Sequence, residues 1–421
     1  MHRSIHKLLF VTDAPLFGGA EQYIASMAAA ASHRGITPAI CWIKPPDAQV
    51  FESWRRQGIA VHAIDSSRIG SMAALWRELR SVMRIEKPDA AIINASGRRR
   101  FWLSSWIARR QGVPAAWVHH MVDANDYRRL PPRRFGGRVE GLHLWRLPQA
   151  ARHRLAAAGS TAVITLNEHD REQVAREQAI PPGSINTISN GVDTGRYHFD
   201  ADIGREIRAG WMHSRPRLGP LDAFVVGTAG RLVSGKGVPL LIEATAMLRR
   251  RQVPIFLIVA GNGPERETLA VHAARLGIAE SVLFLGFTSD MPAFYSGLDA
   301  FALCSSTESF GLVLAEAHAC ERAVVATPTA GAAVQITHGV DGLLLKSFTA
   351  TELAEALFKL YSQPIYREQL GRQGRSRVVE TFSIERTLAR MLDLLQTASA
   401  PMRRSHVEPD LRPGLARGGS A

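Results

Sequence analysis

Residues 223–244 read AFVVGTAGRLVSGKGVPLLIEA, and this stretch decides the fold class. An apolar run typical of a buried strand ends at Ala229, a glycine-rich turn follows, and a helical segment begins after Gly237. A buried strand that leads through a short turn into a helix is the repeating unit of a parallel, doubly wound α/β sheet. The sequence therefore predicts that architecture for this part of the chain.

The same unit recurs on both sides of this stretch. Upstream, KLLFVTDA at residues 7–14 predicts a buried strand, and the loop FGGAEQ then leads into an alanine-rich helix. Downstream, PIFLIVAG at 254–261 and AFALCSS at 300–306 predict further strands that end in small residues. Because 421 residues are too many for one ordinary core, we expect two domains of this kind.

The boundary between the domains is predicted near Asn190 to Asp193, at the end of ISNGVD. The polar stretch 200–221 is predicted to be an irregular insertion after that boundary. The predicted units are an N-terminal domain (1–190), a C-terminal domain (191–383), a final amphipathic helix (384–396) and a disordered tail (397–421). The tail is a non-periodic mixture rich in Pro, Gly, Ser and Arg.

Positive charge is concentrated in one segment of the N-terminal domain. The formal net charge is +13, and residues 98–154 contain 13 Arg, no Lys and three acidic residues. Such an excess indicates an acidic partner, and Arg interleaved with Trp and Phe suits anionic lipid headgroups. A solvated helix face with tryptophans buried behind it explains the pattern equally well. Nucleic acid is a weaker interpretation, because no recognised nucleic-acid-binding motif accompanies the charge.

Cysteine spacing and hydropathy favour a cytoplasmic protein. Cys41, Cys304 and Cys320 lie far apart and have neither CxxC spacing nor a histidine cluster nearby, so a disulfide framework or zinc site is not expected. No stretch approaches the roughly 18 apolar residues of a membrane span, so any membrane contact would be peripheral. Asp200-Ala-Asp202 is a DxD sequence, but it lies away from any predicted strand end and we expect no metal there.

Residues 230–237 predict an anion-binding loop. They match a phosphate-binding P-loop until Gly237, which stands where that loop has the Ser or Thr that holds magnesium. A turn that follows a strand and opens a helix presents backbone amides and Lys236 to anionic oxygens. Arg231 supplies a second cation. The alternative interpretation is a glycine turn with two surface cations. A nucleoside triphosphatase is less well supported, because the sequence shows no evident Walker B partner for this loop.

Two acids flank a second predicted helix N-terminus, in CSSTESFGLVLAEAHAC at residues 304–320. Glu308 lies in the loop before a helix predicted to begin near Phe310, and Glu316 lies within that helix. Since the carboxyl ends of parallel strands meet at one edge of the sheet, this helix N-terminus would face the same crevice as Lys236. Two acids eight residues apart arise easily by chance, so this pair indicates a site only together with its neighbours.

ESFGLVLAE resembles the E-x7-E motif of glycosyltransferase family 4. The phrases GRLVSGKG, GNGPE, FLGF and SSTESFGLVLAE follow one another in that family's order, and the resemblance extends over about residues 7–396. It implies the GT-B fold, in which two facing Rossmann-like domains with parallel, doubly wound sheets hold a nucleotide sugar between them. It also implies a C-terminal helix that crosses back to the first domain.

The resemblance further implies roles for individual residues. Glu308 would contact the transferred sugar, and Glu316 would hold the ribose hydroxyls of the donor. Arg231 and Lys236 would bind the donor diphosphate. The other implied donor-side positions are Gly18, Gly19, Gly263, Phe287 and the backbone amides of Phe310, Gly311 and Leu312. A histidine beside the acceptor would be His119 or His120, and the spacing favours His120.

The implied activity is transfer of a hexose-type sugar from a UDP- or GDP-sugar to a carbohydrate or lipid-linked acceptor, with retention of anomeric configuration. The resemblance implies that no metal or cofactor is needed and that the reaction follows a same-face mechanism. It also implies a role in cell-envelope polysaccharide or glycolipid synthesis, in the cytoplasm or at the inner face of the membrane. Two alternatives stay open: a basic module that docks on membrane or nucleic acid through a degenerate cleft, and an epimerase or phosphorylase on the same scaffold.

Overall fold

The computed structural model describes residues 4–12, 19–43, 48–56, 58–64, 72–94, 102–120, 149–178, 180–213 and 223–398. Gly18, residues 399–421 of the predicted tail and most of the arginine-rich segment lie outside these ranges, whereas residues 397–398, also predicted as tail, belong to the last helix. Within the described residues, no helix is both long enough and apolar enough to cross a membrane.

In the N-terminal half, parallel strands form a seven-stranded sheet. The strands are β1 (Lys7–Thr12), β2 (Thr37–Ile43), β3 (Ala60–Ile64), β4 (Ala90–Asn94), β5 (Ala115–His119), β6 (Ala162–Thr165) and β7 (Ile185–Thr187). They alternate with α1 (Gly19–His33), α2 (Ala48–Arg56), α3 (Met72–Glu86), α4 (Trp102–Arg110), α5 (Gln149–Gly159) and α6 (Glu168–Gln178). The strand order is β3-β2-β1-β4-β5-β6-β7. Its central strands are buried along nearly their whole length, as expected for a sheet covered on both faces.

In the C-terminal half, a second parallel sheet has six strands. They are β8 (Phe224–Ala229), β9 (Ile255–Ala260), β10 (Val282–Gly286), β11 (Ala300–Leu303), β12 (Ala323–Ala326) and β13 (Leu343–Leu344). The helices are α7 (Ala201–His213), α8 (Val238–Arg250), α9 (Arg266–Arg275), α10 (Met291–Ser296), α11 (Leu312–Ala319), α12 (Ala330–Gln335), α13 (Ala350–Ser362), α14 (Pro364–Thr381) and α15 (Ile384–Ala398). The order β10-β9-β8-β11-β12-β13 reverses between β8 and β11, which makes that crevice the place where such sheets bind ligands.

The last helix crosses back to the N-terminal half. Helix α15 packs against α1, β5 and β6, and its buried side chains Leu388, Met391 and Leu395 join the same apolar core as Tyr23 and Ile24 of α1. Two parallel doubly wound sheets and this crossing helix confirm the fold class expected from the sequence.

The chain therefore passes between the two halves twice, and the two passages are hydrogen-bonded to each other. The amide of Val192 donates to the carbonyl of Phe382 at 2.8 Å, and the amide of Ile384 donates to the carbonyl of Val192 at 2.9 Å. Gly191 permits this approach, because a Cβ there would lie 2.7 Å from the Cα of Ile384 and from the carbonyl oxygen of Ser383.

One sequence prediction is wrong. The stretch from residue 200 was expected to be irregular, but residues 201–213 form α7. Asp200 caps this helix, since its Oδ1 accepts hydrogen bonds from the amides of Asp202 at 2.9 Å and Ile203 at 3.0 Å. Along the helix, Ile207 and Trp211 repeat at a spacing of four and face the core. The cap and this spacing were the signals present in the sequence.

The close approach at Gly191 predicts the effect of enlarging it. Gly191→Ala would force a methyl group into backbone atoms of the second passage, so we expect the free energy of unfolding to fall by about 1–3 kcal/mol. Thermal or urea unfolding would measure this loss. Gly183→Ala is the matched control, because a Cβ there meets nothing within 4 Å. Equal stability of the two variants would contradict the tight packing of the two passages.

Candidate active site

The candidate site lies at the carboxyl edge of the C-terminal sheet, beside the reversal of strand order. The loop 230–237 leaves β8, and the loop 304–311 leaves the adjacent strand β11. The two loops are tied together by the amide of Ser306, which donates to the carbonyl of Gly235 at 2.9 Å. The crevice between them is lined by residues of both loops and of the strand ends: Thr228, Gly230, Arg231, Leu232, Lys236, Val238, Leu303 and Ser305.

The loop 230–237 has the form expected of an anion-binding turn. Ser234–Lys236 is one 3-10 turn, Gly237 follows at φ 63°, and α8 begins at the next residue. Only glycine fits there, because its backbone is left-handed and a Cβ would lie 2.0 Å from the carbonyl oxygen of Cys304. Arg231 is exposed and forms no ion pair within the described residues. The loop thus offers one free and one paired cation at the start of a helix.

The turn Gly261-Asn262-Gly263 after β9 packs against this loop. Gly263 packs so closely that a Cβ would lie 2.2 Å from the carbonyl oxygen of Leu232. The amide of Leu232 in turn donates to the carbonyl of Asn262 at 2.9 Å. Gly263, predicted as a donor-side residue, is therefore placed as the packing partner that holds the loop 230–237 in position.

Lys236 and Glu308 form an ion pair across the crevice. Nζ of Lys236 lies 2.5 Å from Oε1 of Glu308, and the hydroxyl of Ser305 donates to the same oxygen at 2.8 Å. The Glu308 side chain is 14% exposed and that of Lys236 34% exposed, so both reach the crevice from partly buried positions. The structure brings these two sequence-predicted residues together, and it adds Ser305, which sequence reasoning missed.

The segment 308–311 differs from expectation in one respect. Helix α11 begins at Leu312 rather than near Phe310, because Gly311 is left-handed at φ 81° and interrupts the helical path. The Phe310 ring is buried against Phe382 with centroids 5.5 Å apart, and its amide nitrogen lies against Gly331. In the part of the chain that the structure describes, the amides of Gly311 and Leu312 meet no acceptor. These two amides remain available at the helix N-terminus, as capping theory expects.

Glu316 is buried in α11 and bonded to tyrosine. Its Oε2 accepts a hydrogen bond from the Tyr295 hydroxyl at 2.8 Å, and the Tyr197 hydroxyl also donates to this carboxyl group. Burial raises the pKa of Glu316, although both tyrosines and the nearby charge of Arg196 act in the opposite direction. Neither tyrosine was predicted, since nothing in their sequence context distinguishes them from core aromatics.

The two histidines at the end of β5 have different surroundings. His119 is buried on the strand, with its ring 5.3 Å from that of Trp117. His120 follows the strand, is half-buried, and lies 6.1 Å from the ring of Tyr23. Burial lowers the pKa of His120 to about 4, so this imidazole is neutral near pH 7. The neighbouring residues 121–148 lie outside the described part of the chain.

The remaining predicted positions are placed as follows. The Phe287 side chain is 66% exposed directly after β10, and Gly19 is the first residue of α1. Gly18 lies outside the described residues. Asp202 of the DxD sequence pairs with Arg205, and within the described ranges no three His, Cys, Asp or Glu side chains are grouped as metal ligands.

The described part of the arginine-rich segment includes α4. Trp106 is half-buried there, and its indole N–H donates to the carbonyl of Leu155 at 2.7 Å. Arg109 and Arg110 are exposed, with Arg110 stacked 5.6 Å from the ring centre of Trp76. In α4 the tryptophan thus packs behind exposed arginines, which is the pattern of a solvated helix face.

Comparison with known proteins assigns both halves of the chain. The family model described as Glycosyltransferase Family 4 matches residues 17–196, and the one described as Glycosyl transferases group 1 matches residues 213–377. The D-inositol 3-phosphate glycosyltransferase of Salinispora arenicola is 30% identical over 76% of this chain and 72% of its own length. The GDP-mannose-dependent alpha-(1-6)-phosphatidylinositol monomannoside mannosyltransferase of Mycolicibacterium smegmatis is 31% identical over 64% and 71%.

Solved structures agree with the fold. Anabaena HepE in complex with UDP-glucose has a TM-score of 0.75 at 20% identity, over 94% of this chain and 100% of that one. Sucrose-phosphate synthase from Thermosynechococcus elongatus has a TM-score of 0.71 at 17% identity, over 93% and 98%. With both family models matched in order and a relative 30% identical over most of its length, the chain belongs to glycosyltransferase family 4.

Proposed function

We propose that this glycosyltransferase transfers a hexose-type sugar from a UDP- or GDP-sugar to a carbohydrate or lipid-linked acceptor, with retention of configuration. The observation that carries the proposal is the Lys236–Glu308 pair, which stands beside the free amides of Gly311 and Leu312. Arg231 and Lys236 line the crevice and suit a diphosphate, and the carboxylate paired with Lys236 suits a sugar.

The donor diphosphate would take Lys236 from Glu308. Arg231 and Lys236 would then bind its oxygens, and the carboxylate of Glu308 would be free to accept hydrogen bonds from the transferred sugar. As the bond to the sugar breaks, negative charge grows on the departing diphosphate. Fixed cations and amides stabilise such charge without reorganisation, and they do so more strongly in a crevice from which water is largely excluded.

A same-face mechanism fits the described carboxylates better than a double displacement. Glu308 is engaged by Lys236 and Ser305, and Glu316 is enclosed by tyrosine hydroxyls. Within the described residues, neither carboxylate of this pair stands free to act as a nucleophile. The leaving diphosphate itself would then accept the proton of the attacking hydroxyl.

The acceptor would enter from the N-terminal half. His120 lies at the carboxyl end of β5, and its neutral imidazole can accept a hydrogen bond from an acceptor hydroxyl. Curated relatives act, by their names, on inositol phosphate and on phosphatidylinositol monomannoside, which supports a carbohydrate or lipid-linked acceptor. We also propose a role in cell-envelope glycoconjugate synthesis, with peripheral docking at the membrane through residues 98–154.

The donor is the first property to test. A relative is named for GDP-mannose and a structural neighbour binds UDP-glucose, so both bases belong in one thermal-shift screen together with ADP-sugars. A donor present at 100 times its Kd would stabilise the fold by about 2.7 kcal/mol, which raises the melting temperature by several degrees. No shift with any nucleotide sugar, and no transfer, would refute the proposed function.

Removing either member of the central pair is expected to abolish most turnover. Glu308→Gln and Lys236→Ala should each lower kcat by about 100-fold or more, because each removes charge that acts on the reacting groups. Lys236→Ala should in addition weaken binding of the free nucleoside diphosphate. Lys359→Ala, a lysine on α13 that lies over the ring of Tyr366, is the control. Initial rates at wild-type level in either site variant would contradict the assignment.

Glu316 predicts a pH dependence of known sign. Its pKa is higher in the fold than in the unfolded chain, so the stability of the fold falls as the pH rises from the unfolded pKa to the folded pKa and stays lower above it. The free energy of unfolding of Glu316→Gln, minus that of wild type, should therefore be more positive at pH 8 than at pH 4.5. If Glu316 holds the ribose, the same variant should bind the donor more weakly at pH 8. Differential scanning calorimetry and titration of the donor measure the two effects, and a pH-independent stability difference would contradict the first.

His120 predicts a change confined to the acceptor. Because burial lowers its pKa to about 4, turnover between pH 5.5 and 8 should show no ionisation from this residue. His120→Gln should raise the acceptor KM while donor affinity stays within twofold of wild type. Steady-state kinetics in each substrate separates the two constants, and the parallel variant His119→Gln decides which histidine contacts the acceptor.

A further inference from the structure

The segment 308–310, which carries Glu308, is anchored by hydrogen bonds to its three successive backbone carbonyls. The carbonyl of Glu308 accepts from the amide of Gly331 at 2.8 Å, and that of Phe310 accepts from the side-chain amide of Gln335. Both of these donors belong to α12 of the same domain. The middle carbonyl, that of Ser309, accepts from Nδ2 of Asn167 at 2.6 Å. Asn167 belongs to the N-terminal half, so the opposite domain supplies one of the three anchors.

Asn167 is fixed on both sides of its side chain. It precedes α6 as the N-cap, and its Oδ1 accepts from the amide of Asp170 at 2.7 Å. The cap orients the amide group, and its NH2 then points across the domain boundary to Ser309. Asn167 is 2% exposed and Ser309 7% exposed, so water has little access to this hydrogen bond.

Asp170 lies beside the same contact. The residue is 4% exposed, and burial raises the pKa of its carboxyl group, while the nearby Ser309 side chain acts in the opposite direction. One turn of α6 thus contacts both the backbone and the side chain of a single residue in the other domain. That residue directly follows Glu308, whose carboxylate lies 2.5 Å from Lys236.

This arrangement depends on how the two domains stand. If the domains separate, both contacts to Ser309 break at once, and the middle anchor of the segment 308–310 is lost. A buried hydrogen bond of this type contributes about 1 kcal/mol net, because water replaces it when it opens. The contact is therefore weak enough to open and close, yet worth about a factor of five to ten in a rate that depends on it.

We propose that Asn167 is a positioning residue that couples closure of the two domains to the placement of Glu308. The inference rests on the proposed function and deepens it: the sugar would be transferred in the arrangement in which Asn167 holds the carbonyl of Ser309. Asn167 acts through the segment 308–310 and touches no substrate itself.

Asn167→Ser separates this role from helix capping. Serine caps helices about as well as asparagine, but its hydroxyl is too short to reach the carbonyl of Ser309. Asn167→Asp is the second variant and is compared in deuterium uptake only: it keeps the capping oxygen and removes the NH2 donor, but its second oxygen would face the carbonyl of Ser309 near the buried Asp170 and lower the melting temperature. Ser160→Ala is the matched control, because it removes hydrogen bonds to Ser105 and Ala156 within the same domain.

Two measurements decide the proposal. First, deuterium uptake without ligand, in peptides covering 303–316 and 326–336, should be faster in both Asn167 variants than in Ser160→Ala, because the amide of Gly331 donates to the same segment. Second, kcat should fall about five- to tenfold in Asn167→Ser, while the Kd of the free nucleoside diphosphate and the melting temperature match the control.

The outcomes are distinct. Uptake at the level of Ser160→Ala in either folded Asn167 variant, or kcat at that level in Asn167→Ser, would overturn the coupling. A loss of stability in Asn167→Ser with proportional changes in every constant would reduce Asn167 to a structural cap and would also overturn it. If the wild-type protein transferred no sugar from any donor, the proposed function would fail, and the uptake experiment would still decide whether Asn167 anchors the segment.

Discussion

The geometry of the whole molecule depends on the pairing of the two passages between its halves. Val192 and Ser383 form a parallel β-bridge. In it the amide of Val192 donates to the carbonyl of Phe382, and the amide of Ile384 donates to the carbonyl of Val192. Thr387 and Arg390 of α15 extend the connection, since their side chains donate to the carbonyls of Ser189 and Thr187. Because both passages between the halves meet at this joint, a hinge motion of one domain relative to the other would be centred on it.

From this joint the site can be followed residue by residue along the segment 308–310. Glu308 presents its carboxylate to Lys236, Ser309 is bonded to the N-terminal half, and Phe310 packs its ring against Phe382 beside the second passage. Three neighbouring residues are thus attached to the loop 230–237, to the opposite domain and to the second passage between the halves. A displacement of either domain is transmitted to the carboxylate through a path of only a few bonds, which is a physical route for coupling.

The fold and the charged residues of the site could be predicted from the sequence, but most of the residues that hydrogen-bond to them could not. Apolar runs of four to eight residues ending in small residues predicted the strands, because a strand in a sheet covered on both faces needs apolar side chains on both of its sides. The glycine-rich turn that ends at Gly237 was also predicted, and the structure adds that this residue has a left-handed backbone. Helix α7 was missed although Asp200 caps it, since a polar surface weakened its apolar periodicity. Asn167 and Ser309 are 142 residues apart, and no local pattern reveals a contact that only the folded chain creates.

The pairing of Lys236 with Glu308 also bears on what the crevice rejects. An anion that binds Lys236 has to displace a carboxylate that is already 2.5 Å from the lysine and is supported by Ser305. Inorganic phosphate or a stray carboxylate would exchange one such contact for another and gain little. A ligand that adds contacts of its own to the neighbouring surfaces, from a base, a ribose or a sugar, has further free energy with which to compete. At Lys236 the internal ion pair therefore sets a free-energy threshold, which a ligand exceeds only through contacts that it makes elsewhere.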